Sequence, residues 1–541
     1  MDTGRQWRRV LLVFLLVATA TVLLSGVAAG ATSGVDSTNV DGPLGTEPLA
    51  NESGPTEVVV RFTPVDEVER HDPGAVVDEL ETHAAAEQSA FAAFAGDHDA
   101  ITVESEFWLA NAMVVTVDPD AVDAADLLAV SNVTHVHENV EIETLDIDDG
   151  SSAPDGAVYM PETHATQVHT QGNYTPGLEL IGTPAAWERF ETRGAGATVA
   201  VIDTGVDPTH RDIDLDGWAE FDENGTLVAD EVADARDPIG HGTHVAGTVA
   251  GGDASGTQIG VAPDAGLYGI NTFGEDGSAT FASVLASMEH ATANEAVDVL
   301  QMSLGTNGTF GGFVRPVRNA RAADKIVVAA SGNAGHGTSA SPANTYDALA
   351  VGAVRDDRGV ATFSSGAAIN TTAAFGGTPA GWPDYYVVPD VTAPGVGVRS
   401  AEAGTTDGYV ELQGTSMAAP HVGGIAALAV AATDGRIGGD DLQSAIVDTA
   451  VHPDGATEPD DRHGHGVVDA EAAVEAAVEA TPPSPTPTPS PAPTPTPDAV
   501  DPATTDDASG FGVITALVAA VALLVAARST CDSETGVRRS D

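Results

Sequence analysis

The sequence is almost without cysteine and lysine. Its 541 residues include one cysteine, Cys531, and one lysine, Lys325. A lone cysteine excludes an intrachain disulfide and any zinc site built on paired cysteines. Lysines and arginines together number 21 against 80 acidic residues, so the formal net charge at pH 7 is −59. Because nucleic-acid binding needs a basic surface, this charge balance excludes that class of protein.

The excess of acidic residues could belong to either of two further classes of protein. A disordered acidic chain is one, but hydrophobic residues make up 42% of the sequence and form many apolar runs, which indicates a folded protein. The other is a charged surface suited to concentrated salt. At about 1 M salt the Debye length is roughly 3 Å, so the self-repulsion is screened. The composition resembles that of halophilic archaeal proteins, and we expect adaptation to high salt.

Two long apolar runs lie near the ends of the chain. The first follows Arg8 and Arg9 and ends in small residues at 29–31, which is the pattern of an export signal for the general secretory or twin-arginine route. The second, 511–527, is just long enough to cross a membrane and is followed by arginines. It predicts a C-terminal membrane anchor that leaves the rest of the chain outside the cell.

Composition also divides the chain between these runs. Strand-like and helical runs form a small α+β unit, and after a polar stretch a larger region begins. There the apolar runs ATVAVID, DVLQMSLG, KIVVAASGN and ALAVGAV alternate with alanine-rich helical segments. That alternation predicts a doubly wound, mainly parallel α/β sheet with helices on both faces. We predict a signal peptide at 1–31, a polar spacer at 32–56, the small unit at 57–145, a linker at 146–175, the large domain at 176–478, a Pro/Thr-rich linker at 479–508, a membrane or sorting segment at 509–528 and a polar tail at 529–541.

Three polar residues of the large region stand in glycine-flanked turns beside apolar elements. Asp203 ends the strand ATVAVID, His241 stands in GHGTHVAGTVAG, and Ser416 stands in LQGTSMAAPHVGG. A serine hydroxyl needs a base to become a nucleophile, and the base needs a carboxylate that fixes its tautomer. The order Asp, His, Ser argues against an acyl hydrolase of the α/β-hydrolase class, whose order is Ser, acid, His.

The segments VIDTGVD, HGTHVAGTVAG and GTSMAAPHVGG together resemble the three signature blocks of the subtilase family of serine proteases. The resemblance implies a subtilisin-like fold and an endopeptidase that works through an acyl-enzyme without a cofactor. It also implies that 57–145 is a ferredoxin-like propeptide, acting as chaperone and inhibitor, and that maturation occurs between about Leu145 and Asn173. The expected protein is a monomer whose partners are protein substrates and its own propeptide.

The same resemblance assigns further residues. Asn333 matches the oxyanion-hole asparagine, with the Ser416 N–H as the second donor. Asp212 matches a carboxylate of a structural calcium site, although Ala254 stands where that site has an asparagine. Pro342 matches a proline preceded by a cis bond. The residues expected to pair with the substrate or to line its primary pocket are Ser303, Leu304, Gly305, Ala330, Ser331 and Gly332.

Some alternatives stay open. The chain could be an inactive subtilase-fold binding module of the cell surface, although such a module is expected to lose a residue of the site and none is lost. His241 and His244 could bind zinc, but the glutamate of the H-E-x-x-H pattern is missing. The C-terminal run also resembles a haloarchaeal sorting signal in which a lipid replaces the tail. Ser509 stands in place of the signature proline, so we expect a retained span.

Overall fold

The computed structural model describes residues 54–145 and 173–481, apart from short gaps at 66–67, 69–72, 275–276, 454 and 457–458. The predicted signal peptide, the proline-rich linker and the C-terminal apolar run lie outside the described residues. The described residues form a small N-terminal domain, 54–145, and a large domain, 173–481.

The small domain is a four-stranded antiparallel sheet with two helices. Its elements are β1 (Thr56–Phe62), α1 (Pro73–Gly96), β2 (Ile101–Phe107), β3 (Ala112–Val117), α2 (Ala124–Leu128) and β4 (Val133–Glu138). The strands lie in the order β2-β3-β1-β4, which is the ferredoxin-like arrangement. Side chains alternate across β1: Val58 and Val60 pack with Phe91 of α1, whereas Val59 packs with residues of the large domain.

The run THVHENVEIETL reads as one continuous strand, but it forms two. β4 ends at Glu138, and β5 (Glu141–Thr144) leaves the small sheet to pair with strands of the large domain. The turn between them is held by the helix that begins at Phe281. Val140 O accepts the Phe281 N–H at 2.8 Å, and Asn139 Oδ1 accepts the Ala282 N–H at 2.9 Å. These first-turn N–H groups have no partner within their own helix, so they are available to fix the turn.

The large domain is built on an eight-stranded sheet. Its strands lie in the order β18-β15-β13-β11-β6-β9-β7-β8, and every neighbouring pair is parallel except β7 and β8 at one edge. This arrangement confirms the predicted α/β class. The strands of the large domain are β6 (Thr198–Asp203), β7 (Gly217–Phe221), β8 (Leu227–Ala229), β9 (Gly266–Asn271), β10 (Ala279–Thr280), β11 (Val299–Met302), β12 (Leu304–Asn307), β13 (Ile326–Ala330), β14 (Ala340–Ser341), β15 (Leu349–Val354), β16 (Ala367–Asn370), β17 (Tyr385–Val388), β18 (Val391–Pro394), β19 (Val398–Ala401) and β20 (Tyr409–Leu412).

Helices cover both faces of this sheet. They are α3 (Pro176–Leu180), α4 (Thr183–Phe190), α5 (His241–Ala250), α6 (Phe281–Ala293), α7 (Val314–Ala322), α8 (Thr371–Phe375), α9 (Thr415–Ala432), α10 (Gly439–Asp448) and α11 (Ala470–Ala480). Alternate residues of β6 separate the two layers. Val199 and Val201 pack in the core that contains α5 and α9, and Ala200 and Ile202 pack in the core that contains α6 and α7.

Helix α9 is apolar on all sides because it lies inside the protein. Among the described residues it is the one helix long and apolar enough to cross a membrane, and 89% of it is buried within the fold. A helix with no polar face fits a core position. Its length and composition are therefore explained by its place against the sheet.

Candidate active site

Asp203 and His241 meet at the carboxyl end of β6. Asp203 ends that strand fully buried, and His241 is the first residue of α5. Their side chains form a direct hydrogen bond in which His241 Nδ1 lies 2.7 Å from Asp203 Oδ1. The Thr204 N–H donates to the same carboxylate oxygen at 2.8 Å. A carboxylate acceptor assigns the proton to Nδ1 and leaves Nε2 as the basic nitrogen of the ring.

Two glycines allow this close approach. A Cβ on Gly242 would lie 2.1 Å from Gly205 O and 3.1 Å from Asp203 Cβ. Gly205 has a φ of 108° in the left-handed region, and a Cβ there would lie 2.1 Å from Arg236 O. The glycines of VIDTG and HGTH therefore bring the strand end and the helix start within hydrogen-bonding distance.

Ser416 and Asn333 meet at a carbonyl of the chain itself. The Ser416 hydroxyl lies 3.0 Å from Leu145 O and 3.2 Å from Ser303 O. The Asn333 amide also donates to Leu145 O. Asn333 Oδ1 in turn accepts the Thr415 N–H at 2.9 Å, which orients the amide toward the start of α9. The Asn333 amide therefore faces this carbonyl oxygen as one donor of an oxyanion hole would, and the Ser416 hydroxyl lies beside the same carbonyl.

Strand β5 lies in the cleft between two strands of the large domain. On one side Leu304 and Gly305 of β12 pair antiparallel with Thr144 and Glu143. On the other side β10 pairs antiparallel with β5, a contact that the sequence did not suggest. An added strand is held by main-chain hydrogen bonds, which do not depend on its side chains, so this cleft holds β5 through its backbone.

Leu145 follows β5 and is buried, with Gly305 of the large domain beside it. Its side chain is 4% exposed, and a Cβ on Gly305 would lie 3.5 Å from its Cδ1. Ala330, Ser331 and Gly332 lie where β13 ends and are buried, and the Gly332 N–H donates to Thr415 Oγ1 at 3.2 Å. Ser303 Oγ donates to Ser416 O at 2.8 Å. The bond before Pro342 is cis, as the resemblance implied.

Asp237 is a site residue that the sequence analysis did not name. Its Oδ2 accepts the N–H and the hydroxyl of Thr243 at 2.8 and 2.6 Å, and its Oδ1 accepts the Gly240 N–H at 2.7 Å and the Thr204 hydroxyl at 2.9 Å. Burial raises the pKa of Asp237. The carboxylate thus caps the helix that begins with His241 and ties it to the residue after Asp203. An aspartate just before a helix start is the signal that could have identified it.

The other two histidines near the site are packing residues. His244 Nε2 lies 2.9 Å from Val398 O, and burial lowers the pKa of His244 to about 3. His421 Nδ1 lies 2.9 Å from Met417 O, and burial lowers the pKa of His421 to about 4. Both rings stay neutral at ordinary pH, so neither adds a charge beside His241.

The surroundings of Asp212 do not fit a calcium ion. Its Oδ1 accepts the Ala254 N–H at 2.7 Å, and its Oδ2 accepts the Tyr409 hydroxyl at 2.5 Å. Calcium needs 6–8 oxygen ligands, whereas both oxygens of this carboxylate are directed at protein donors. Ala254 supplies an N–H where the family site has an amide oxygen. Calcium at Asp212 stays a prediction from the resemblance, and these hydrogen bonds argue against it.

The fold is that of a subtilisin-like serine protease, and comparison with known proteins agrees. The chain belongs to the subtilase family, whose sequence profile matches residues 194–467. Alkaline elastase YaB of Bacillus sp. (strain YaB) is 34% identical over 335 residues, which are 62% of this chain and 78% of that protein. Subtilisin Savinase of Lederbergia lenta is 37% identical over 297 residues, 55% of this chain and 97% of that protein.

These relatives establish the reaction class. An alkaline protease of Alkalihalobacillus alcalophilus is also similar, 36% identical over 336 residues, 62% of this chain and 78% of that protein. The chain is therefore a subtilisin-like serine endopeptidase acting on protein substrates. Subtilases need no cofactor for the chemical step.

Proposed function

We propose that Ser416, His241 and Asp203 are the catalytic triad of an exported endopeptidase made as a zymogen. Asn333 and the Ser416 N–H would hold the oxyanion. The segments 303–305 and 330–332 would bind the substrate backbone and its primary side chain. The single observation that carries the proposal is the position of Leu145 O, which accepts hydrogen bonds from Asn333 and Ser416 together.

The chemistry follows from these positions. Ser416 Oγ forms a bond to the substrate carbonyl carbon while its proton passes to His241 Nε2. The C–N bond then breaks, and His241 returns that proton to the leaving amine. A water that gives a proton to His241 then attacks the acyl carbon. The bond between that carbon and Ser416 Oγ breaks as His241 returns this proton to Oγ, which releases the acid and restores the serine hydroxyl. Asp203 stabilises the imidazolium throughout, and the two oxyanion donors stabilise the negative charge on the carbonyl oxygen.

We infer that residues 57–145 are an inhibitory propeptide and that the protease cuts its own chain after Leu145. Strand β5 runs through the cleft as a substrate would, and its carbonyl at Leu145 is at the nucleophile. The same domain also packs Val59 and Leu109 against the core that contains α6. The bond between Leu145 and Asp146 lies at the start of the region expected for maturation.

The alternative is an inactive subtilase-fold module. Nothing observed favours it, because the buried Asp203–His241 hydrogen bond and the Asn333 donor are both present. Clearing of casein by the exported protein, abolished by phenylmethylsulfonyl fluoride, supports the protease. Absence of hydrolysis after complete removal of residues 57–145 would favour the module.

We also propose an extracellular location and adaptation to high salt. The signal-like run at 1–31 supports export, and the apolar run at 511–527 followed by arginines supports an anchor that leaves the monomeric protease outside the cell. Fractionation tests the anchor. The full chain should need detergent for release from membranes, and a chain ending at Gly510 should enter the medium. Intact full-length protein that is free in the medium would contradict the anchor.

A further inference from the structure

Two histidines and an aspartate converge near the C-terminal end of the large domain. His452, Asp460 and His463 lie in the segment between α10 and α11, and their ligand atoms lie within 4.8 Å of one another. None of the three contributes to the protease site. We propose that they form a binding site for a divalent transition metal, with zinc as the preferred ion and a water as the remaining ligand.

The donor set and its spacing fit zinc. Imidazole nitrogen and carboxylate oxygen are ordinary zinc ligands at about 2.0–2.2 Å. Two such ligands at tetrahedral angles lie about 3.3 Å apart. His452 Nε2 and Asp460 Oδ2 are 3.1 Å apart, so they match one edge of that tetrahedron. The ring of His463 stands edge-on to His452, with centroids 5.1 Å apart, which brings the second imidazole to the same place.

Hydrogen bonds to the backbone orient the two half-buried ligands, Asp460 and His463. Asp460 Oδ1 accepts the N–H of Arg462 at 2.8 Å and that of His463 at 2.7 Å, so its other oxygen turns toward His452. His463 Nε2 lies 3.4 Å from Arg358 O, and a ring N–H donated there leaves Nδ1 for the metal. Metal-bound histidines commonly give their second N–H to a carbonyl, and ligating carboxylates are themselves hydrogen-bonded.

The site is reachable and its frame is fixed. The His452 side chain is 3% exposed, whereas that of Asp460 is 46% exposed, so an ion can enter from solvent and meet one buried ligand. Asp460 and Gly464 form a reciprocal backbone pair that closes the turn carrying Asp460 and His463. Metal bound there would join this turn to the segment after α10. A chain without a disulfide gains a cross-link in this way.

The same segment supports the wall of the specificity pocket. The Arg462 guanidinium donates to Ser364 O at 2.8 Å and to Ala361 O at 3.1 Å. Ser365 Oγ accepts the Ala334 N–H at 3.1 Å, directly after Asn333. The metal is therefore a structural clamp near the oxyanion side of the cleft and takes no part in the chemical step.

Cobalt binding tests the site with a spectroscopic readout. The full chain carrying Ser416→Ala, which prevents self-digestion, is stripped with EDTA and titrated with Co²⁺ in high salt. One equivalent should produce strong visible bands of low-coordinate cobalt, and Zn²⁺ should abolish them. Zn²⁺ should also raise the melting temperature by about 2–4 °C. A chain that gives no such bands with Co²⁺ and no thermal shift with Zn²⁺ overturns the proposal.

Two variants in that background identify the ligands. His463→Phe keeps a ring against His452 but removes the ligand atom, so the cobalt bands and the thermal shift should disappear while the circular dichroism stays unchanged. Asp460→Asn, which keeps the shape of the carboxylate, is the second variant if His463→Phe does not fold. His336→Ala is the matched control, because His336 pairs with Asp461 at the same 3.1 Å, and among the described residues no third ligand joins that pair. Bands that persist in the ligand variants, or that vanish equally in the control, overturn the site.

Discussion

Glu289 of α6 accepts the backbone N–H of Leu109 at 2.8 Å, so a carboxylate of the large domain holds a loop of the small domain. Asn319 donates to Leu109 O at 2.7 Å from the neighbouring helix. Burial at this contact raises the pKa of Glu289 to about 8. The interface between the two domains therefore contains a carboxyl group, that of Glu289, whose pKa should fall when the domains separate.

A second titratable group in the same interface, the His137 ring, has its pKa shifted in the opposite direction. His137 of β4 stands edge-on to Phe281 and Phe310 of the large domain, with centroids 5.7 and 5.6 Å away. Burial, and then the charge of Arg61, lower the pKa of His137 to about 3. Release of the small domain would return both groups toward their ordinary values.

The affinity of the small domain should therefore be highest between about pH 4.5 and 6.5. The raised pKa of Glu289 stabilises the complex below its ordinary value of 4.5, and this contribution is lost as the pH rises toward 8. The lowered pKa of His137 stabilises the complex above 6.5, and this contribution is lost as the pH falls toward 3. Each slope is at most about tenfold in affinity per pH unit. Inhibition constants of the 57–145 domain against the mature protease measure it.

A substitution at Glu289 tests the predicted fall in affinity of the small domain above pH 6.5. Glu289→Gln cannot ionise, so the affinity of the variant should stay nearly constant between pH 6.5 and 8. Glu295→Gln, an exposed glutamate of the same domain, is the control and should keep the native slope. An unchanged slope in Glu289→Gln would remove Glu289 as the origin of the pH dependence.

Asp237→Asn should lower turnover more than it changes the Michaelis constant. The amide can accept only on one side, so the cap on α5 and the tie to Thr204 weaken, and His241 is less well oriented. We expect a loss of about 1–2 kcal/mol in the free energy of unfolding, as for a lost helix cap. Steady-state kinetics and thermal melts measure both effects. Asp234→Asn, at an exposed aspartate before the same helix, should change neither quantity.

Asn333→Ala should reduce turnover by about 10²–10³ with little change in substrate affinity. That figure is the one known for the oxyanion-hole asparagine of subtilisin itself, and we adopt it because the resemblance assigns Asn333 to that position. The hydrogen bond strengthens only when the carbonyl oxygen becomes an oxyanion, so it acts on the transition state. A loss confined to the Michaelis constant would contradict the assignment.

Dialysis to about 0.1 M salt should unfold or inactivate the protease. At that salt the Debye length is about 10 Å, so the charges behind the net −59 repel one another over the whole surface. Circular dichroism of the Ser416→Ala chain follows unfolding without self-digestion. Full and lasting activity of the active chain at low salt would show that the acidic surface has another purpose.

The sequence predicted the parallel sheet correctly, and it supplied the candidate site residues, whose roles stay predictions, because both rest on local signals. The run at 197–203 is apolar and ends at Asp203, and β6 forms within it with the carboxylate at its end. The glycines around His241 and Ser416 are likewise a local signal, because they indicate that backbone segments approach each other closely at these positions.

Long-range contacts could not be predicted in the same way. Nothing between Val133 and Leu145 indicates that the strand divides, because the turn is fixed by N–H groups of a helix that begins at Phe281. The convergence of His452, Asp460 and His463 has no recognisable spacing either. It depends on a backbone turn and on packing that the sequence pattern does not contain.

The most direct test of the central claim is N-terminal sequencing of the purified protease beside its Ser416→Ala variant. The active protease should lose everything up to Leu145, including the small domain, and begin at Asp146, because Leu145 O lies 3.0 Å from the Ser416 hydroxyl. The variant should keep the small domain covalently attached. A variant that is processed after Leu145 as efficiently as the active chain, in the absence of other proteases, would contradict the account.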